Sequence, residues 1–436
     1  MMHQKLLFKN CTILASDGVE GYAPVENGYL GVEGDVIAYI GAEKPEGYAN
    51  EKDMRGAMLC PGLINTHTHA AMTLLRGLGS GLPLDRWLHE AIFPVEDRLT
   101  EADIYAGNAL AQLEMLASGT TSYSDMYDHP MTAVALCEQS GMKINLCRPL
   151  LSFNTAERAK DSWRVQGTLD LFDGYHMAQN GRVRVDFAIH AEYTSHEAIV
   201  REYAALGAAR GARMHLHLSE TQKEHDECKM KYGKTPARWF YDLGVFALPT
   251  AAAHCVAVEA ADLDILRACN VSVMHNPSSN MKLGSGFAPI PQMLAKGLNV
   301  ALGTDGTASN DNLNMIEEMH LAALIHNGIL RDPTAMPPAQ ILNMATRNGA
   351  RLQGREDTGV LAVGKKADII ALSMDAPHMH PSLSPLPTLI YSAQGSDVCL
   401  TMVDGKILYE NGEFKTIDAE RVYHDAAAAV KHLYDL

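Results

Sequence analysis

The chain has 436 residues, enough for one large domain with an accessory one, and 47% hydrophobic with 20% charged residues is a globular composition with a sizeable core. A formal charge of −16 opposes nucleic acid or an anionic membrane surface as partner, since both repel an acidic protein, and points to a small-molecule ligand. The eight cysteines (Cys11, Cys60, Cys137, Cys147, Cys228, Cys255, Cys269, Cys399) form no CxxC pair, which suggests neither a thiolate zinc site nor a disulfide framework and suits a reducing compartment.

In chain order, the opening MMHQKLLFKNCTIL lacks the basic, apolar and small-residue succession of a secretory leader. No run of about 18 apolar residues occurs, so a cytoplasmic protein is expected. Residues 5–58 hold the strand-like runs LLFKNCTIL and GYLGVEGDVIAYIG, joined by Gly, Asn and Asp turns. From residue 59 to residue 305 one theme repeats: a short apolar, β-rich run with polar residues at its end, then a segment of helical periodicity. The runs are MLCPGLINTHTH (58–69), TTSYSDM (120–126), KINLCRPL (143–150), VRVDFAIHA (183–191), RMHLHLSE (213–220), TAAAHCV (250–256), NVSVMHNP (270–277) and NVALGTD (299–305). The intervening helices include 101–119, acidic in its first turn and closed by Gly119, and 196–211.

Eight strand–helix units predict an α/β fold, a (β/α)₈ TIM-type barrel over residues 59–355. A doubly wound sheet would want a Gly-rich phosphate turn after an early strand, and no GxGxxG is present. Residues 367–414 return to strands (ADIIALS, DVCLTMVDGKILYENGE), and 419–436 reads as a closing helix. Hairpins this small are unstable alone, so residues 1–58 and 356–436 are expected to form one composite β-sandwich domain beside the barrel.

In such a barrel the chemistry sits at the C-terminal ends of the strands, and five of the eight runs end in or near a histidine or aspartate: His67 and His69, His190, His217, His254 and Asp305. Residues two apart on a strand face the same side, so His67 and His69 can face one ion in the barrel mouth, with His217 and Asp305 completing the set. Three imidazoles and a carboxylate suit Zn²⁺ or Fe²⁺, with a position left for water. An HxH alone is more often ordinary polar sequence; it is the convergence of strand ends that carries the inference. His215, one layer deeper, is expected to be a hydrogen-bonded structural histidine, and His275 is left outside the ligand set.

The segments PGLINTHTH, HLHLSET (215–221), AHCV (253–256), HNPSSNMKLGSG (275–286) and GTDGTASNDNLNM (303–315) together resemble the amidohydrolase superfamily. Within it the chain is similar, over essentially its whole length, to the 5′-methylthioadenosine/S-adenosylhomocysteine deaminases; triazine chlorohydrolases and guanine deaminases share much of the pattern. The resemblance implies a hydrolase of a C–N bond in a cyclic amidine, turning 5′-modified adenosines into inosines and ammonia at one divalent metal held by His67, His69, His217 and Asp305. A second metal is disfavoured because VRVDFAIHA carries no lysine and ends in His190. The alternatives are the same chemistry on another aminated heterocycle, or a non-catalytic barrel relative.

Attack at C6 of an adenine needs a water proton removed, the role expected for Asp305. It also needs a proton placed on ring N1 by a neutral acid, the role expected for Glu220, with His254 orienting the nucleophile. By resemblance Glu96 takes the ribose hydroxyls, His190 contacts the nucleoside, and Trp87 and Ser309 line the pocket. Arg148, at the end of the third run, requires an anionic partner: an internal carboxylate or the carboxylate of a homocysteine tail. Where relatives carry a second arginine this chain has Arg158 and Lys160, and which of them faces inward stays open. A homodimer or homotetramer is expected.

Overall fold

The computed structural model describes residues 5–435; residues 1–4 and 436, part of the expected terminal domain, lie outside the described residues. Several runs read as strands are buried along their whole length, among them Leu63–Thr68, Thr120–Met126, Met214–Leu218 and Thr250–His254. Strands covered on both faces bury every position, so Thr250–His254 runs through small residues, while the histidines of Met214–Leu218 are buried along with its leucines.

The strands pair in parallel around a ring. Leu63–Thr68 lies beside Thr120–Met126, then come Lys143–Cys147 and Val183–Val185. Pro149–Leu150, Phe187–Ile189, Met214–Leu218, Thr250–His254, Ser272–His275 and Val300–Leu302 continue in the same sense. The third and fourth strands are interrupted, at Arg148 and at Asp186, and the Asp186 amide donates to the Leu146 carbonyl (2.9 Å), which carries the pairing across both breaks. The ring closes where the Asp305 amide donates to the His67 carbonyl (2.9 Å) and the Thr66 hydroxyl to the Leu302 carbonyl (2.8 Å).

Helices return the chain between strands, as expected. Glu101–Ala117 begins with a Thr100–Asp103 capping box, and the chain leaves it through Gly119 at φ +90°. Glu197–Ala209 buries Ile199, Val200 and Tyr203, and Tyr203 packs on Phe187 with ring centroids 4.8 Å apart. Each such large apolar side chain contributes about 1.5–3 kcal/mol on burial.

The first run is two strands where one was expected. Met58–Pro61 pairs with Lys5–Ser16 and with Ile369–Leu372, in a nine-stranded sheet that the N- and C-terminal segments build together among the described residues. Only Leu63–Thr68 enters the barrel, so the passage from one unit to the other falls at Gly62, where a side chain would run into Thr121. The closing helix is Ala419–Tyr434. At the barrel base Lys143 joins the two units: its Nζ lies 2.6 Å from a carboxylate oxygen of Asp368 and 2.7 Å from one of Asp404. No helix among the described residues is long and apolar enough to cross a membrane.

Candidate active site

Four exits from the barrel strands converge on one point. Nε2 of His67 and Nε2 of His69 lie 3.4 and 3.3 Å from Oδ1 of Asp305. Donor atoms of His67, His69 and His217 lie within 4.8 Å of one another, as do those of His67, His254 and Asp305. The approach depends on two glycines in GTDGT: a Cβ at Gly303 would sit 2.8 Å from the His67 amide, and one at Gly306 3.1 Å from the His69 Cβ.

The imidazoles are oriented by their other nitrogen. His69 donates Nδ1–H to the Met126 carbonyl (2.7 Å) and His217 to the His190 carbonyl (2.8 Å), which leaves both Nε2 lone pairs facing inward. His67 Nδ1 meets Nε2 of His215 at 2.8 Å, so His215 serves as the supporting histidine expected one layer down. His67 Nε2 is then a buried nitrogen with no hydrogen-bond partner. Donors placed tetrahedrally around an ion at about 2.0–2.1 Å stand roughly 3.3–3.4 Å apart, which the His67, His69 and Asp305 separations match. Asp305 accepts from Ser279 (2.6 Å), Ser309 (2.9 Å) and the Gly306 amide (2.8 Å). Burial pushes its carboxyl up, but the His67 and His69 imidazoles 3.4 and 3.3 Å away outweigh that and hold it well below the carboxylate range. The residues present therefore fit a divalent ion. His275 lies apart, its Nε2 3.2 Å from Nε2 of His326.

Backbone strain accompanies the convergence. Ser219, His254, Cys255 and Asp305 all have positive φ (+45°, +70°, +51° and +62°), at the exits of the fifth, sixth and eighth strands. No glycine marks these positions, so composition gives no warning of them.

Beside the ligand cluster, Glu220 is 7% exposed, and Oε2 lies 3.7 Å from Nε2 of His254. Burial, helped by the charge on Asp305, pushes its carboxyl up to about 7, so a large share of it is neutral acid at neutral pH. His254 donates Nδ1–H to Oδ1 of Asn280 (2.8 Å), which fixes its tautomer and turns Nε2 toward Glu220.

These groups open onto a cavity of about 400 Å³, within the range of small-molecule sites. Trp87, Glu96, His190, Glu220 and Ser309 line it. Trp87 sits on the helical turn Trp87–Ile92 with its indole N–H on the Leu78 carbonyl (3.1 Å). Glu96 accepts from the Tyr127 hydroxyl (2.5 Å), and burial raises its carboxyl. Burial, reinforced by charge on His69, lowers the His190 imidazole to about 3, so it is neutral. Ser309 lines the cavity, yet its hydroxyl is committed to Asp305 and to the Gly306 carbonyl (3.0 Å).

Arg148 does not line the cavity. The strand breaks at this residue, and its side chain lies against the helix Trp163–Tyr175, beside Gly167, with its guanidinium 5.4 Å from the Trp163 ring and Nε 3.6 Å from Oδ1 of Asp128. The arginine at the cavity is Arg164, which forms a fork with Asp128 at 2.7 and 3.0 Å. Neither Arg158, paired with Glu202, nor the exposed Lys160 lines it. The cavity also takes Tyr127 and Asp128, which their place directly after the TTSYSDM strand signals, and Arg164, in the first turn of a helix, which no sequence pattern signals.

The Amidohydrolase family model matches residues 58–408. The chain is 42% identical over 430 residues, 98% of its length and 99% of the relative, to the 5-methylthioadenosine/S-adenosylhomocysteine deaminase of Thermoanaerobacter pseudethanolicus. It is 41% identical over 434 residues, 98% of each chain, to the 5′-deoxyadenosine deaminase of Methanosarcina acetivorans. Among solved structures, an adenosine deaminase from Xanthomonas campestris with bound zinc superposes with a TM-score of 0.92 at 30% identity, covering 99% of both chains.

Proposed function

The chain belongs to the amidohydrolase family, and on that footing we propose that it is a metal-dependent deaminase converting 5′-modified adenosines, with 5′-methylthioadenosine and S-adenosylhomocysteine foremost, to the corresponding inosines and ammonia. The observation that carries this reading is the partnerless, buried Nε2 of His67 inside a three-histidine and aspartate cluster, with a buried acid, Glu220, facing the same cavity. The names of the full-length relatives support the substrate class.

His67, His69, His217 and Asp305 hold one divalent ion per subunit in this reading, zinc by preference, with iron suiting the same donors. Bound there, the ion would supply the Lewis acidity that lowers the pKa of a water toward about 7. Asp305 takes the proton of the attacking water. Glu220 holds its proton toward ring N1 and releases it as C6 becomes tetrahedral; a neutral carboxyl is required, and burial provides it. His254, its ring fixed by Asn280, hydrogen-bonds the nucleophile and aims it at C6. As the C6–N bond breaks, the amine takes the proton held by Asp305 and leaves as ammonia, and the C6 hydroxyl proton returns to Glu220, which gives the 6-oxo product and restores the acid.

Glu96, held by Tyr127, accepts from the ribose hydroxyls, His190 meets the nucleoside as a neutral imidazole, and Trp87 walls the cavity. Ser309 acts through Asp305. Arg164, in place of Arg148, is the cation that a 5′ tail bearing a carboxylate would meet, and Asp128 is the internal carboxylate that both arginines already face. The terminal segments form a small β-sandwich in this reading, supported by a core of their own that includes Phe8, Ile13, Leu30, Ile369 and Leu400. Exposed Leu324, Ile329 and Leu330 on one helix support a homodimer or homotetramer, and eight free cysteines support a cytoplasmic setting.

Ammonia release from methylthioadenosine, S-adenosylhomocysteine, 5′-deoxyadenosine, adenosine, guanine and a triazine tests the proposal. Turnover confined to the adenosines is expected; no ammonia from any of them would overturn it.

A further inference from the structure

Beyond the strand carrying His217, three successive backbone amides point at a single side chain. Ser219 N lies 2.9 Å from Oε1 of Glu224, while Glu220 N and Thr221 N lie 2.7 and 3.4 Å from Oε2. Glu224 is also the third residue of the helix Gln222–Tyr232 and forms a capping box with Thr221. Capping accounts for only the Thr221 contact, the longest of the three. The two shorter bonds reach back to the strand exit, where Ser219 has φ +45° and its hydroxyl meets Nδ1 of His225 at 3.1 Å. Left-handed backbone at a serine is costly and persists only where its surroundings hold it.

Glu224 is 6% exposed and forms no ion pair among the described residues. Glu192, 2% exposed on the turn Glu192–Thr194 after the fourth strand, is an acidic neighbour of Glu224. Burial first, then the charge of Glu224, pushes the Glu192 carboxyl well above the usual carboxylate range, and burial raises Glu224 as well. One buried carboxylate thus accepts from three successive amides, and the segment it fastens carries Glu220.

We propose that Glu224, backed by Glu192, is the positioning residue that sets the Glu220 carboxyl against the substrate ring. This rests on Glu220 being the acid that protonates N1. A fraction of an ångström at that carboxyl matters because proton delivery requires hydrogen-bond distance to one ring nitrogen. Gln at 224 keeps the shape but turns an amide N–H₂ toward backbone donors, so the segment loses part of its clamp.

The test is steady-state kinetics normalised to bound metal for Glu224→Gln, Glu192→Leu, Glu192→Gln and, as benchmark, Glu220→Gln. E224Q is expected to lower kcat about 30- to 100-fold with KM within about threefold of wild type. It should weaken binding of a ribonucleoside with a tetrahedral, hydroxyl-bearing carbon at the six-position by a similar factor, while affinity for 5′-methylthioinosine stays within about threefold. E192L is expected to lose about tenfold in kcat, and E192Q, which keeps a donor, to recover at least about threefold of that. If E224Q, or E192L should E224Q not fold, keeps kcat per metal within threefold of wild type while E220Q is inactive, the positioning role is overturned. An active E220Q would instead overturn the acid assignment on which it rests.

Discussion

The two ends of the barrel both bury charge, and they treat it in opposite ways. At the base, Lys143 lies between Asp368 and Asp404, and the Arg355 guanidinium, 3% exposed, donates to Asn145 and to the carbonyls of Gly181, Ile144 and Arg182. At the mouth, His67 Nε2 has no partner, Glu220 is pushed up to about 7, and four residues stand at positive φ. Buried polar groups are normally satisfied, so Lys143 and Arg355 with their partners read as structure and the His67 cluster as a site whose remaining partners arrive from solution.

Substitutions at each end should separate stability from activity. Asp305→Asn, or removal of metal by a chelator, is expected to lower activity more than about 10³-fold, with added zinc restoring only the chelated wild type. Glu220→Gln should lower kcat about 10³-fold with bound metal unchanged by elemental analysis, and full activity in that variant would remove the acid assignment. Lys143→Met leaves the buried Asp368 without its cation and is expected to cost about 3–5 kcal/mol in denaturant unfolding, with kcat per folded enzyme within twofold of wild type. A large kcat loss there would mean that the two ends are coupled. The smallest effect belongs to Arg164→Gln: about a tenfold rise in KM for S-adenosylhomocysteine, and about twofold or less for methylthioadenosine, which carries no carboxylate.

Legibility follows the same division. The ring of strands could be read because most barrel strands are buried along their length and rich in apolar or small residues, and the cluster at the mouth is suggested by five runs that end in or near histidine or aspartate. Hidden from the sequence was whatever depends on where a strand stops. The run at 58–69 divides at Gly62 because two sheets share one stretch of chain, which an apolar pattern alone does not reveal. The break at Arg148 turns its side chain out against the helix Trp163–Tyr175, and Arg164 from that helix stands at the cavity instead. Ser309 lines the cavity, and only geometry reveals that its hydroxyl belongs to Asp305. Glu224 has the sequence appearance of an ordinary helix cap, and its reach back to Ser219 and Glu220 depends on a left-handed serine that no residue type announces.

The most direct measurement is an anomalous-difference map of the metal-loaded crystal, collected across the zinc and iron absorption edges. The expected result is a single peak about 2.0–2.3 Å from Nε2 of His67, His69 and His217 and from a carboxylate oxygen of Asp305. A peak held by His254 in place of His217, two peaks, or none at this point would contradict it.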